Sequence, residues 1–425
     1  MRTLICGLCL LPGVMFGVPA PTFYKDVLPI LQNHCQTCHR PGEAAPMSLL
    51  TYKDARPWAK AMREAVLLKK MPPWYADPHY GKFHNDRSLP QRDIDTLVAW
   101  AESGAAEGDA KDAPPPAEFP EGWSAGTPDL VLEMPEEFHI PASGTIPYQH
   151  FVIPTHFTEA KWVRIAELRP GNRALVHHAL IFVRPPGSRY MADAKPGEAF
   201  VPKQDWRVGR TPYDEFLDIY VPGVTPQVLP PNEAKLIQPG SDLIFQVHYT
   251  ANGKPGVDRS KIGLTFAKEP PRNRVYTLAV ATDKFVLPPG APDTEVESKF
   301  VLQTGATLIS MNPHMHLRGK SFEYRIVLPG GETETLLRVP RYLFAWQMPY
   351  ILEKPLPLPK GTRIECTAHF DNSPNNPLNP DPSAEVRWGD QSWEEMMVGF
   401  MDIAFDSKMD LLDLFRPAKR ASGSD

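Results

Sequence analysis

Short runs in which apolar and polar positions alternate fill the chain beyond residue 128: DLVLEM (129–134), HFVIPTH (150–156), KWVRIAEL (161–168), DLIFQVHY (242–249), KIGLTFA (261–267), FEYRIVL (322–328), RIECTAHF (363–370) and MMVGFMDIAF (396–405). A period of two is the signature of strands with one buried face, and turn residues separate the runs. The pattern predicts a mainly β fold, in which two jelly-roll-type β-sandwich domains follow a small all-α module. AKEPPRNRV (267–275) is the most natural boundary between the sandwiches, placing them at 128–270 and 271–412. Earlier in the chain the period lengthens. Val27, Leu28, Ile30 and Leu31 share one face of a short helix, Asp54 to Lys70 reads as a helical stretch, and PQRDIDTLVAWAESG (90–104) reads as a closing helix with Gly104 as its stop. These elements define a module at 21–108. EGDAKDAPPPAEFPEG (107–122) then breaks all periodicity and marks a Pro-rich linker, placed at 109–127, and a polar tail occupies 413–425.

Composition changes this picture in two ways. The 49 prolines among 425 residues favour turns and strand ends over long helices. The 45 basic and 50 acidic residues are mixed along the chain, so the net charge of −5 gives no footprint for nucleic acid or an anionic membrane. Residues 1–20 read as a cleaved export signal: Arg2, then the apolar stretch LICGLCLLPGVMFG, then Val18-Pro19-Ala20. Export predicts a periplasmic or secreted protein. Cys6 and Cys9 leave with that signal, and the odd set Cys35, Cys38 and Cys366 argues against a disulfide framework.

CQTCH (35–39) is the attachment sequence for c-type haem, with thioethers from Cys35 and Cys38 and His39 as one axial ligand. With a helix before the motif and an apolar closing helix, residues 21–106 resemble class I cytochrome c. Met71, in KKMPPWY, is the leading candidate for the second axial ligand, ahead of Met47 and then His79 or His84.

The remaining chemistry is carried by strand histidines. His177 and His178 are adjacent in ALVHHALIFV (174–183), although neighbouring strand residues point to opposite faces. His248 lies on another strand. His314 and His316 stand two apart in MNPHMHLRG, so their rings project from one face as a two-ligand comb. Met396 and Met397 follow Glu394-Glu395. His139, His150, His156 and His369 lack such a placement and read as structural.

In their order along the chain, GNRALVHHALIF, QVHY, HMHLRGK and EEMM resemble the copper type II, ascorbate-dependent monooxygenases, the family of peptidylglycine α-hydroxylating monooxygenase and dopamine β-monooxygenase. The resemblance spans about 128–405. It implies an electron-entry copper held by His177, His178 and His248 and an oxygen-binding copper held by His314, His316 and Met396, the latter three being catalytic. Both adjacent histidines would then be ligands, which requires the strand to deform near 177. A soft thioether suits Cu(I). Two departures stand out. Met397 falls where the family has a half-cystine whose partner would correspond to Cys366, which is therefore expected as a free, buried thiol. The family's carboxylate-holding positions read Asn312, Val398 and Phe400, so a peptidyl-glycine carboxylate would be held poorly. The function implied is hydroxylation of a substrate C–H bond by O2. Electrons would pass singly through one covalent haem to two coppers, with ascorbate or a redox protein as donor and a small organic or peptide-like substrate in a solvent-open cleft between the sandwiches. The alternative is a copper-binding, electron-transfer cytochrome that hydroxylates nothing.

Overall fold

A computed structural model describes residues 19–43, 45–120, 122–202 and 210–416. Of the expected leader only residues 19–20 are described; the expected tail begins later than 413, since a 3-10 turn, Leu411–Leu414, buries Leu414 in the second sandwich core, and 417–425 lie outside the described residues.

The helical module forms around the predicted faces. A π-helical turn, Phe23–Val27, leads into helix Leu28–His34. Val27, Leu28, Ile30 and Leu31 are buried in one core with Ile94, Leu97 and Trp100 of helix Gln91–Glu102. Gly104, at φ +98°, ends that helix in the left-handed region open to glycine. The helical stretch expected from Asp54 to Lys70 runs to Leu67, as Tyr52–Ala55, a 3-10 turn Arg56–Trp58 and helix Ala59–Leu67. Pro57 has no N–H to donate, which interrupts the helical ladder at that point. The Pro-rich segment folds back on the module: Gln32 Nε2 donates to the Pro115 carbonyl at 2.9 Å, and the Arg40 guanidinium sits 4.4 Å from the Phe119 ring centre.

Beyond the linker the chain is β. One core is formed between a sheet containing Lys161–Arg169 and Lys261–Phe266 and a four-stranded sheet in the order Gln149–Pro154, Asp242–Tyr249, Val176–Arg184, Phe216–Tyr220. A second core lies between the strands Asn273–Ala281, Val398–Asp406 and Ala306–His314 and the sheet Thr294–Val301, Arg363–Phe370, Gly319–Val327, Thr333–Val339. Each is a β-sandwich. They are joined edge to edge: Glu233–Ile237 pairs in parallel with Asn273–Ala281 through Asn273↔Glu233 and Arg274↔Ala234, making one eight-stranded sheet common to both.

The helical module covers the edge of that sheet at Tyr350–Leu358. His84 N donates to Ile351 O at 2.8 Å, Glu353 N donates to Lys82 O at 2.9 Å, and Trp74 packs 4.9 Å from the Tyr350 ring. An exposed strand edge is a template for unwanted pairing, and this contact closes it.

Candidate metal centres

Alternation decides where the histidines point. In strand Val176–Arg184, Ala179, Ile181 and Val183 enter the first sandwich core, so His178 lies on the opposite, outward face. His178 pairs directly with His248 of the neighbouring strand. His177 would face the core in a regular strand. The pairing instead shifts between Val176 and His178, a bulge that inserts one extra residue and turns His177 to the face of the other two. The deformation expected near 177 is present. The three imidazoles bring ligand atoms within 4.8 Å of one another. His177 Nδ1 and His178 Nδ1 face each other at 2.9 Å, and the buried Nδ1 of His248 has no hydrogen-bond partner. Burial favours the uncharged ring. It lowers the His177 pKa to about 4 and that of His248 to about 3, and holds His178 well below its ordinary value, so all three keep lone pairs for a cation near neutral pH.

The second set sits on strand Ala306–His314 and the turn after it. Met311 and Met315 enter the second core, which leaves Asn312, His314 and His316 on the other face. The His314 imidazole meets Gln347 Oε1 through Nδ1 at 2.6 Å, and His316 Nδ1 meets the Glu394 carbonyl at 3.3 Å. Both acceptors require Nδ1–H and leave the Nε2 lone pair of each ring as its ligand atom. The buried His316 Nε2 is without a partner. This is the second-shell arrangement that fixes the tautomer of a metal-binding imidazole. Desolvation lowers the His314 pKa to about 4 and holds His316 well below its ordinary value. Glu395 anchors the turn, accepting from His316 N at 2.8 Å and Arg318 N at 2.6 Å, while burial raises its carboxyl to about 8.

Register places the thioether. The ladder ends at His314↔Val398, and two residues beyond this last pair lie His316 on one chain segment and Met396 on the other. Met397 points the other way, fully buried in the second core. Met396 is buried without belonging to that core, so the two methionines occupy different environments. Cys366 is a free, fully buried thiol.

The two sets lie on outward faces of different sandwiches and meet across their boundary. Tyr148 packs 4.7 Å from the His248 ring and 6.3 Å from the His316 ring, and Phe344 lies 5.8 Å and 6.0 Å from the same two rings. Phe344 also stacks on His177 at 5.2 Å and 21°. The cleft expected between the sandwiches has a counterpart in a partly open pocket lined by Phe216, Asp218 and Lys235 of the first and by Asn312, Phe400 and Asp402 of the second, with Phe400 6.0 Å from the His314 ring. The aromatic side chains Tyr148 and Phe344 stand between the two sets; His178, His314, His316 and Met396 are buried, while His177 and His248 are half-buried. Neither aromatic stood out in the sequence, because a lone Phe or Tyr in a turn has no chemical signature; nor did Gln347.

In the helical module, His39 N and Cys38 N both bond to Cys35 O, at 2.9 and 3.1 Å, so the two thiols and the imidazole follow one turn of chain. His39 Nδ1 lies 3.3 Å from the Met47 carbonyl, which leaves Nε2 free for an axial position. A cavity of about 470 Å³ is lined by Met71, Val66, Trp74, Phe83, Leu89 and Ile94. Among the described residues its lining does not include the CQTCH residues, Met47, His79 or His84. The motif itself abuts the first sandwich. Glu43 pairs with Arg173, and a Cβ on Gly223 would lie 2.7 Å from Cys38 Sγ, so only glycine permits this approach.

The other histidines are structural. His150 is buried, with Nε2 2.8 Å from the Gln246 amide, and His369 meets Asp293 at 2.9 Å on the surface. His139 alternates out of strand Phe138–Ile140 and His156 stands at φ +56° beyond strand Gln149–Pro154; both are exposed.

No protein-family model matches the chain, nor does any curated protein. Among solved structures, the major capsid protein P2 from bacteriophage PM2 aligns at 9% identity over 65% of this chain and 98% of its own, with a TM-score of 0.25. Infectious bursal disease virus, Gx strain, aligns at 10% identity over 65% and 72%, with a TM-score of 0.19. Likenesses this distant carry no argument about the chain.

Proposed function

We propose that this chain is an exported haem–copper monooxygenase that hydroxylates a substrate C–H bond with O2. The observation that carries the reading is the bulge at His177, which spends strand regularity to gather three neutral imidazoles opposite a second, separately anchored imidazole pair. His177, His178 and His248 would hold one copper, His314, His316 and Met396 the other, and Cys35, Cys38, His39 and Met71 a c-type haem. Bound copper supplies one-electron redox chemistry and O2 activation, and bound haem supplies electrons singly. The side chains do the rest. Gln347 and the Glu394 carbonyl orient the imidazoles of the second set, Glu395 holds their turn, and Tyr148 and Phe344 keep water from the space between the sets. The neutral amide of Asn312 beside His314 suits a substrate without a carboxylate there.

Metal analysis should find one covalent haem and two coppers per chain, with copper-dependent O2 uptake when reductant and a suitable substrate are supplied. Cys35→Ala with Cys38→Ala should abolish covalent haem while both sandwiches stay folded, since their cores are separate from the helical one. Haem still covalently bound in that variant would refute the assignment. The burial of His314, His316 and Met396 favours a second reading, an electron-transfer cytochrome with coppers that do not react with substrate. A fully loaded chain that exchanges electrons with its haem but consumes no O2 with any of a broad set of candidate substrates would establish it.

A further inference from the structure

One irregular segment touches both imidazole sets and the chain just before Met71. Residues 341–347 run between the strands Thr333–Val339 and Tyr350–Leu358 and belong to neither. At one end, the exposed Arg341 guanidinium donates from Nη1 to Leu68 O at 3.3 Å and from Nη2 to Lys69 O at 2.8 Å, just before Met71, and lies 5.1 Å from the Tyr75 ring centre. Tyr342 follows, buried, its hydroxyl donating to Met315 O at 2.6 Å and accepting from Met315 N at 3.1 Å, between the two histidines of the H-x-H pair. Phe344 forms a wall common to both imidazole sets. At the far end, Gln347 accepts from His314 and ties itself to its own segment by donating to Phe344 O at 3.2 Å.

We propose that residues 341–347 are a coupling strap: Arg341 latches the Met71 loop of the helical module, while Tyr342, Phe344 and Gln347 position the imidazoles of both centres. The inference rests on reading those imidazoles as metal ligands, and adds that the Met71 loop and the metal centres exchange free energy through this segment. Its physical basis is the absence of slack. Tyr342, Phe344 and Gln347 are all buried and in contact with histidines or their neighbours. A metal that fixes the His177 and His314 rings therefore fixes the strap, and the strap holds two carbonyls of the loop. Coupling of this kind is reciprocal, so ordering the loop also favours metal binding. Arg341 and Phe344 are positioning residues here; neither supplies a ligand atom.

The test uses the haem-loaded full chain, with cuprous ion added under anaerobic conditions and amide hydrogen exchange followed segment by segment. In the wild type, cuprous ion should slow exchange both in 342–348 and in 68–75, each roughly tenfold, within the usual span of coupling between sites. In Arg341→Gln the protection at 342–348 should persist and that at 68–75 should disappear, with two coppers still bound. Arg341→Lys, which keeps the charge but loses the planar fork that reaches both carbonyls, should fall between them. Phe344→Leu should retain both responses in weakened form, and Phe344→Ala should uncouple them. Protection at 68–75 that is absent in the wild type, or unchanged in Arg341→Gln, overturns the strap even with copper bound. If no copper binds at all, it is the metal-ligand reading that fails, which the metal analysis shows directly.

Discussion

The two imidazole sets are built from similar residues by opposite means. The His314/His316 pair uses a stretch that is regular from Ser310 to His314, its irregularity lying further back between Leu308 and Ser310, and continues the same period into the turn; Gln347, the Glu394 carbonyl and Glu395 then orient the rings. The His177/His178/His248 set uses a distorted strand. Its geometry comes from the backbone, through the bulge between Val176 and His178, and its ring nitrogens face one another instead of a hydrogen-bonded support. A backbone-built site keeps its shape when a neighbouring side chain is altered, whereas a side-chain-built site depends on its second shell. The first set should therefore respond mainly to loss of a ligand and the second to loss of a support.

The largest effect expected is from ligand removal. His178→Ala should remove one equivalent of copper, from the first centre, and Met396→Ile should remove Cu(I) affinity from the second alone, because isoleucine has no donor atom. Equilibrium metal analysis with X-ray absorption would separate them. If Met396→Ile keeps both coppers and the sulfur scatterer, Met397 becomes the ligand and the register argument is wrong.

The comparison is sharpened by Gln347→Leu. Loss of a second-shell partner should lower metal affinity at the second centre roughly 10- to 100-fold and leave the first unchanged. Equal weakening at both centres, in a competition titration with a cuprous chelator, would contradict the asymmetry.

Acid should act on both sets in the metal-free protein. Their folded-state pKa values lie below the ordinary value of 6.5, at about 4 for His177 and His314 and about 3 for His248. The unfolded chain therefore binds more protons than the folded one once pH drops below 6.5. Stability present above that pH should be lost as pH falls toward 4. His177→Asn with His248→Asn should flatten the decline measured by thermal unfolding between pH 7 and 4.5. A decline of the same slope in that variant would place its origin elsewhere.

The smallest effect concerns docking. Arg173→Ala breaks the pair with Glu43 that ties the CQTCH segment to the strand carrying His177. It should cost on the order of 1 kcal/mol of docking, since such pairs are modest. Faster proteolysis in 109–127, with unchanged unfolding of the sandwiches, would report it.

Much of this was legible from the chain alone. DLIFQVHY is a strand over the same residues, Asp242–Tyr249, and the apolar positions read on the first helix are the ones buried. Period and burial are local properties, and each residue carries them in its own side chain. The distortion at 177 was legible for a different reason: two adjacent imidazoles have no common face on a regular strand, so convergence demanded a bulge. The helical stretch across 54–70 was legible to Leu67, whereas its 3-10 turn at Pro57 was not, because the pattern of side chains does not separate one helix type from another.

What tertiary structure alone decided is how these parts meet. Two registered pairs, at Asn273 and Arg274, turn two sandwiches into one continuous sheet and set their outward faces against each other. No period announces a contact between residues hundreds of positions apart. The same holds for Tyr148, Phe344 and Gln347, which matter through what lies beside them. The sequence by itself determined the strands, the helical module and the identity of the donor atoms, because those follow from side-chain chemistry and a repeat of two or 3.6. The packing of the sandwiches determined that the donors face one another across aromatic rings, because that meeting depends on what the rest of the chain brings to the opposite side.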